Sequence, residues 1–285
     1  IIPFMSCSAR LPVYVLLISA FFPHNQGLVL FSIYLIGILI AVLSSVLFKK
    51  LLFAKQEAPF VMELPPYRIP TVHNVVRHMW DKGAQYLKKM GTVILLASII
   101  IWALGHYPRN VEYSTDYAAE KALVAASDQS AEEKQAQIQH LDNSQYAEHQ
   151  EKSYIGRIGH FIEPAIRPLG FDWRIGVSLA SGLAAKEVVV STMAVLNNSG
   201  DDETMLARNL QKQTYASGPK AGEHVYTPLV AYTLMIFILL YFPCIATVAA
   251  IGSEAGWRWA VASVAYNTLL AWLAAWAVYH LVMWL

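Results

Sequence analysis

Between Arg10 and Lys49 the chain carries no Asp, Glu, Lys or Arg. A charge at the centre of a bilayer costs at least ~2.5–3.5 kcal/mol on insertion scales, so charge-free runs of this length mark spans of a membrane. Within the run, Pro23-His24-Asn25-Gln26-Gly27 has turn chemistry and divides it into two segments, 2–22 and 28–53. Each is near the ~20 residues that a hydrocarbon core requires.

The other charges obey the same rule. Of the 21 Lys+Arg and 20 Asp+Glu, eleven fall in 49–89, eighteen in 107–174 and seven in 197–223. Only Arg10, Lys186, Glu187, Glu254 and Arg258 lie outside these blocks. Further apolar runs at 90–108, 175–196, 224–253 and 259–285 bring the expected number to about six, at least two of them broken. A charged fraction of 14% against ~25% in soluble domains agrees with an all-α polytopic membrane protein in contact with lipid. The same composition excludes disorder. A net charge of +1 with no basic stripe excludes nucleic acid as a partner.

Block 49–89 holds eight Lys or Arg against three acids, which places it on the cytoplasmic side. Over 71–89 the residues Val72, Val75, Val76, Met79, Trp80 and Leu87 keep helical spacing, with Arg77, His78, Asp81, Lys82 and Lys88 on other faces. That pattern predicts an amphipathic helix at the interface, turning into the next span. The organisation expected is therefore a first membrane section over 1–106, an extramembrane helical hairpin over 107–153 and a second membrane section over 154–285. Ser130-x-x-Glu133 is a capping box for the hairpin's second helix. His140 and His149 are not spaced i, i+4 and read as part of a solvated face rather than as metal ligands.

Few residues remain that can carry chemistry. Lys186 and Glu187 lie eleven and twelve residues into an apolar run. Neighbours on a helix point ~100° apart, so each needs its own partner or water. The tract before them (Gly176, Ser178, Ala180, Ser181, Gly182, Ala184, Ala185) is small enough for close helix approach or a backbone break, and interrupted helices are how transporters build substrate sites. A pair at the membrane–water boundary is the alternative.

Cys7 and Cys244 cannot make a disulfide scaffold. Each follows a proline, Pro3 and Pro243, and proline frees a carbonyl one turn earlier. Thiol, thioether, hydroxyl and carbonyl groups at such a break can meet a soft divalent metal, whereas a lone buried cysteine is a small hydrophobe; both readings stand. The chain has no G-x-x-x-x-G-K-[ST], G-x-G-x-x-G, H-E-x-x-H or G-x-S-x-G, so an enzyme or a nucleotide hydrolase is not expected in these residues. Trp257, Trp259, Trp272, Trp276, Tyr279 and Trp284 read as belt and packing residues, with Glu254 and Arg258 interfacial. A start at Ile1 inside a hydrophobic run looks like part of a longer polypeptide.

Four strings closely resemble the membrane region of the bacterial ferrous iron transport protein B family. They are Pro3-Phe4-Met5-Ser6-Cys7-Ser8-Ala9-Arg10-Leu11-Pro12, Pro59-Phe60-Val61-Met62-Glu63-Leu64-Pro65-Pro66-Tyr67, Gly182-Leu183-Ala184-Ala185-Lys186-Glu187 and Tyr241-Phe242-Pro243-Cys244-Ile245-Ala246-Thr247. The resemblance implies the C-terminal part of a permease admitting Fe²⁺ across the bacterial inner membrane, a multi-pass protein with two gate segments. It implies Cys7 and Cys244 as iron contacts and puts Lys186 and Glu187 in the second gate; Met5, Ser6 and backbone carbonyls at the breaks are then expected as further donors, and Arg10, Pro243 and Thr247 as gate residues beside the cysteines. GTP and Mg²⁺ would belong to an N-terminal G domain that, like the first membrane helices, is absent from these residues. No cofactor is implied here; a small cytoplasmic accessory protein and a homo-oligomer are the further partners. Two competing readings are the gate of a nucleoside-like organic-solute carrier, and a non-transporting module that completes a larger channel.

Overall fold

The computed structural model describes residues 7–51, 71–109, 111–126, 131–183, 186–197, 199, 203–214 and 222–284. Every regular element among the described residues is a helix, and the β pairing there is an isolated bridge between Thr214 and His224. A 3-10 turn at Ser8–Arg10 leads into α1 (Leu11–Phe21), followed by α2 (Gln26–Leu51), α3 (Val72–His106), α4 (Tyr117–Ala126), α5 (Ala131–Lys152) and α6 (Tyr154–Ile166). After α7 (Trp173–Ser181), α8 (Val188–Leu196) and α9 (Glu203–Lys212) come α10 (Pro228–Leu240), α11 (Ile245–Glu254) and α12 (Trp257–Trp284).

Among the described residues three stretches are long and apolar enough to cross a membrane: Gln26–Lys50, Pro228–Glu254 and Trp257–Trp284, of 25, 27 and 28 residues. They correspond to the expected segments 28–53, 224–253 and 259–285. The other three take different forms. Segment 2–22 yields the 11-residue α1 among the described residues, 90–108 forms the second half of α3, and 175–196 is split into α7 and α8, of 9 residues each. No turn separates the amphipathic stretch 71–89 from the apolar one after it. Both belong to the 35-residue α3, because Gly83 and Gly91 alone do not stop a helix whose flanking residues are good formers.

Helix α10 is the axis of the core. Every residue from Thr233 to Leu240 is buried, and α12, α1 and α2 pack around it. Phe171 meets Phe237 edge-on at 5.7 Å, and the Phe237 ring lies 5.7 Å from Tyr241. Lipid is as apolar as leucine, so association of such helices rests on close packing and polar pins rather than on removal of apolar surface from water. The pins are present: Ser32 with Tyr232 at 2.8 Å, Tyr266 to Ser44 at 2.8 Å, and the Trp272 indole to the Ala165 carbonyl at 2.8 Å. Each such bond contributes on average ~0.6 kcal/mol. Gly159 allows α6 to lie against α7, where a Cβ would stand 2.4 Å from Val177 Cγ2.

Helices α4 and α5 pack on one another. Glu148 of α5 is their main polar anchor, accepting hydrogen bonds from the Ser114 amide and hydroxyl, Tyr117 and Lys152. Ser130 and the side chains of Glu133 and His140 lie outside the described residues. His149 uses both ring nitrogens locally, at 3.1 Å from the His106 carbonyl and 3.4 Å from the Tyr113 hydroxyl. Among the described residues no group of three or more metal-binding side chains forms.

Asp172 fixes the start of α7. Its Oδ1 accepts from the Ile175 amide at 3.0 Å and its Oδ2 from Gln213 Nε2 at 3.0 Å. The carboxyl precedes the broken segment and is 5% exposed, and this burial pushes its pKa up to about 6. A raised folded-state value means that the native fold favours the proton, so this contribution is complete below the unfolded value near 4 and lost as pH rises through 6. Asp172→Asn should therefore flatten the decline in thermal stability between pH 4 and 6.5, while Asp172→Ala should cost ~1 kcal/mol of capping at every pH. Thermal unfolding in detergent across that range checks both. An unchanged pH slope in Asp172→Asn would contradict the assignment.

Candidate functional site: two helix breaks in contact

The first break follows from Pro243. Without an N–H it cannot extend α10, which ends with the Tyr241 amide donating to the Phe237 carbonyl at 2.8 Å. The chain leaves α10 in an extended conformation at Tyr241, and Cys244 becomes the N-cap residue of α11. The Cys244 carbonyl accepts from the amides of Thr247 at 2.9 Å and Val248 at 3.1 Å, and its sulfur lies 3.4 Å from the Thr247 hydroxyl.

The second break lies between α7 and α8. The Gly182 and Leu183 amides close the last turn of α7 on the Ser178 and Ala180 carbonyls, each at 3.1 Å. Lys186 and Glu187 form the turn that opens α8, with the Val189 amide on the Lys186 carbonyl at 3.3 Å. The Ser181 hydroxyl bonds that of Thr192 at 2.8 Å and so ties α7 to α8 across the gap.

The breaks touch. The Ile245 amide, at the free N-terminus of α11, donates to the Leu183 carbonyl at 3.1 Å. Tyr241 lies across Gly182, where a Cβ would fall 2.6 Å from the tyrosine oxygen and 2.6 Å from Val189 Cγ2. Glycine is required here for close approach. On the face of the Tyr241 ring sits the Lys186 ammonium, 4.1 Å from the centroid.

Of the residues singled out by sequence, the structure brings Lys186, Arg10, Cys7 and Cys244 into one neighbourhood, with Pro243 and Thr247 next to Cys244. Lys186 is buried, as is Arg10, in the 3-10 turn before α1; Arg10, Cys7 and Cys244 all act electrostatically on Lys186. Tyr241 faces the same three groups. Pro243 is buried, Cys244 and Thr247 are half-buried and Cys7 is exposed. Glu187 points away and is exposed, so the adjacent charges separate as their ~100° offset requires. Met5 and Ser6 lie outside the described residues.

Two participants were not singled out by sequence, the Tyr241 ring and the Leu183 carbonyl; Gly182 belongs to the tract expected to allow close approach, but without Tyr241 as its neighbour. An aromatic two residues before a proline and a glycine four residues before a lysine carry no mark that they meet across 59 positions. Beside the second break is a cavity of about 260 Å³, lined by His106, Tyr146, His149, Ser181, Ser191 and Thr192 among others. It has room for several waters, and the hydroxyls of Tyr146, Ser181, Ser191 and Thr192 interrupt a wall that also includes Trp102, Ile155 and Val177.

The family description "Ferrous iron transport protein B C terminus" matches residues 30–82, and the gate family described as "Nucleoside recognition" matches 87–258. The chain belongs to the ferrous iron transport protein B family. A relative from Porphyromonas gingivalis, named as a fusion of Fe(2+) transport protein A with Fe(2+) transporter FeoB, is 50% identical over 98% of this chain and 33% of its own length. Relatives named Fe(2+) transporter FeoB are 34% identical in Methanocaldococcus jannaschii, over 96% of this chain and 35% of that protein, and 35% identical in Staphylococcus aureus, over 98% and 35%. The chain thus spans about a third of the length of these curated relatives. No solved structure matches it.

Packing at Gly182 provides a test. Gly182→Ala should displace Tyr241 or Val189 and lower stability by ~1–3 kcal/mol, as overpacking does. Gly27→Ala, in open space at the start of α2, should leave it unchanged. Thermal unfolding of the two variants side by side distinguishes them; equal midpoints would contradict the close contact.

Proposed function

We propose that this chain is the C-terminal membrane section of a permease that carries Fe²⁺ across the bacterial inner membrane. The observation that carries the reading is the convergence of two helix breaks with Cys7, Cys244, Arg10, Lys186 and Tyr241 in one neighbourhood. Fe²⁺ crossing an apolar layer must exchange water for protein donors, and thiol and thioether sulfur are suited to a divalent transition metal. Cys7 and Cys244 supply the thiols. Met5, Ser6, Thr247 and carbonyls at the breaks complete the donor set. The hydroxyl-lined cavity beside Ser181 and Thr192 is where the hydrated ion waits before it sheds water.

The division of labour follows from geometry. Lys186 and Tyr241 hold the breaks in register, and the Leu183–Ile245 bond makes movement of one break felt at the other. About six segments, counting α1, the end of α3 and the α7–α8 pair with the three full-length stretches, form the membrane part. GTP regulation comes from a G domain elsewhere in the full-length protein, which binds GTP with Mg²⁺. The Porphyromonas gingivalis fusion supports a small accessory protein as a partner.

The gate family's description as "Nucleoside recognition" supports a second reading, an organic-solute carrier. Such a site would use Asn, Gln and Glu side chains to bind hydroxyls or bases rather than paired cysteines; of these only Glu187 occurs in 182–187 and 241–247, and it is exposed. The relatives' names favour iron. In cells carrying the full-length protein, Cys7→Ser and Cys244→Ser should each reduce ⁵⁵Fe²⁺ uptake about tenfold or more, as loss of a metal contact does, and excess nucleoside should not compete. Unchanged uptake in the double variant would overturn the thiol site; competition by nucleosides would favour the carrier.

A further inference from the structure

Among the described residues Lys186 is the only buried lysine, at 3% exposure, and its Nζ has no hydrogen-bond partner there. An ammonium has three donors to satisfy, and a long lysine stem ordinarily carries its head out to water. Glu187, the adjacent carboxylate, is exposed and does not approach it as an ion-pair partner. The ammonium is instead turned inward, onto the Tyr241 ring at 4.1 Å and within electrostatic range of both thiols, with the Arg10 guanidinium as a second positive group. An aromatic face and two sulfurs favour a cation, and the cation found among them is one the protein itself supplies.

Accepting the thiol reading above, we propose that the Lys186 ammonium is a tethered cation: it occupies the place of the transported divalent metal beside Tyr241, Cys7 and Cys244, and the two exclude one another. A doubly charged ion cannot share this low-dielectric neighbourhood with an ammonium at contact distance, since like charges there repel strongly. Metal therefore binds only when Lys186 leaves. The means of leaving is built into the backbone, because Lys186 and Glu187 belong to a turn between two short helices and not to a continuous helix. Rotation of that turn carries the ammonium off the ring toward the exposed side, where Glu187 and water receive it. The same motion strains the Leu183 carbonyl bond to Ile245, so release of the tether and movement of the cysteine-bearing break are one event. With Lys186 on the ring, the site is closed to ions without any steric plug.

The test is metal affinity in the purified full-length protein, with Co²⁺ as probe, read from the thiolate-to-cobalt absorption band. Lys186→Leu removes the charge and adds no metal donor, and should bind Co²⁺ at least tenfold more tightly than wild type. Lys186→Arg keeps the charge and should gain nothing. Tyr241→Leu retains the lysine but removes its seat, and should also tighten binding; it provides the reading if Lys186→Leu does not fold. Equal or weaker Co²⁺ binding in the charge-removal variant, or in Tyr241→Leu where that variant alone folds, would overturn the tethered cation. Cys7→Ser/Cys244→Ser should abolish the band. If it does so while Lys186→Leu binds as wild type, the thiol site stands and the tether falls; if the band survives, the thiol site itself falls and the tether with it.

Discussion

A helix interrupted within an apolar layer leaves amide and carbonyl groups that no water can reach, and each one left unsatisfied costs several kcal/mol. Here the hydrogen bond from the Ile245 amide to the Leu183 carbonyl answers that constraint for both interruptions at once. That bond pairs one group from each break and holds only while the two lie together. Everything notable about the site follows from this: Tyr241 rests on Gly182, Lys186 rests on Tyr241, and the N-cap position of α11 places Cys244 beside them.

The rest of the fold serves as the rigid frame for that junction. Helix α10, buried along nearly its whole length and held by α1, α2 and α12, fixes the position of Tyr241 and Pro243. The α7–α8 side is built differently, from two 9-residue helices joined through a turn and held by one hydroxyl pair, Ser181 and Thr192. A stiff element thus faces a segmented one, the arrangement expected where an ion site has to open and close.

Sequence alone revealed the charge-free runs, the two proline-linked cysteines and the anomaly of Lys186-Glu187, because a charge in an apolar run and a proline in a helix leave marks in one dimension. That the two charges of the pair point apart was also expected from helical geometry, whereas which of them turns inward was not. Two features were not legible. The amphipathic stretch 71–89 and the apolar stretch after it form one helix, since nothing local distinguishes a turn from a continuation where glycines are isolated. The contact of Tyr241 with Gly182 and Lys186 joins positions far apart in sequence, and only packing decides it. Met5 and Ser6, expected as further donors, fall outside the described residues.

The central claim is that the two breaks bring Cys7 and Cys244 to one place. In full-length protein with these two as its only cysteines, a short bifunctional thiol reagent such as dibromobimane, fluorescent only when both ends have reacted, measures it directly. Proximity of the two thiols predicts rapid fluorescence, and the proposed thiol site predicts that Fe²⁺ suppresses it under anaerobic conditions. Reaction of each thiol singly, with no cross-linked product, would contradict it.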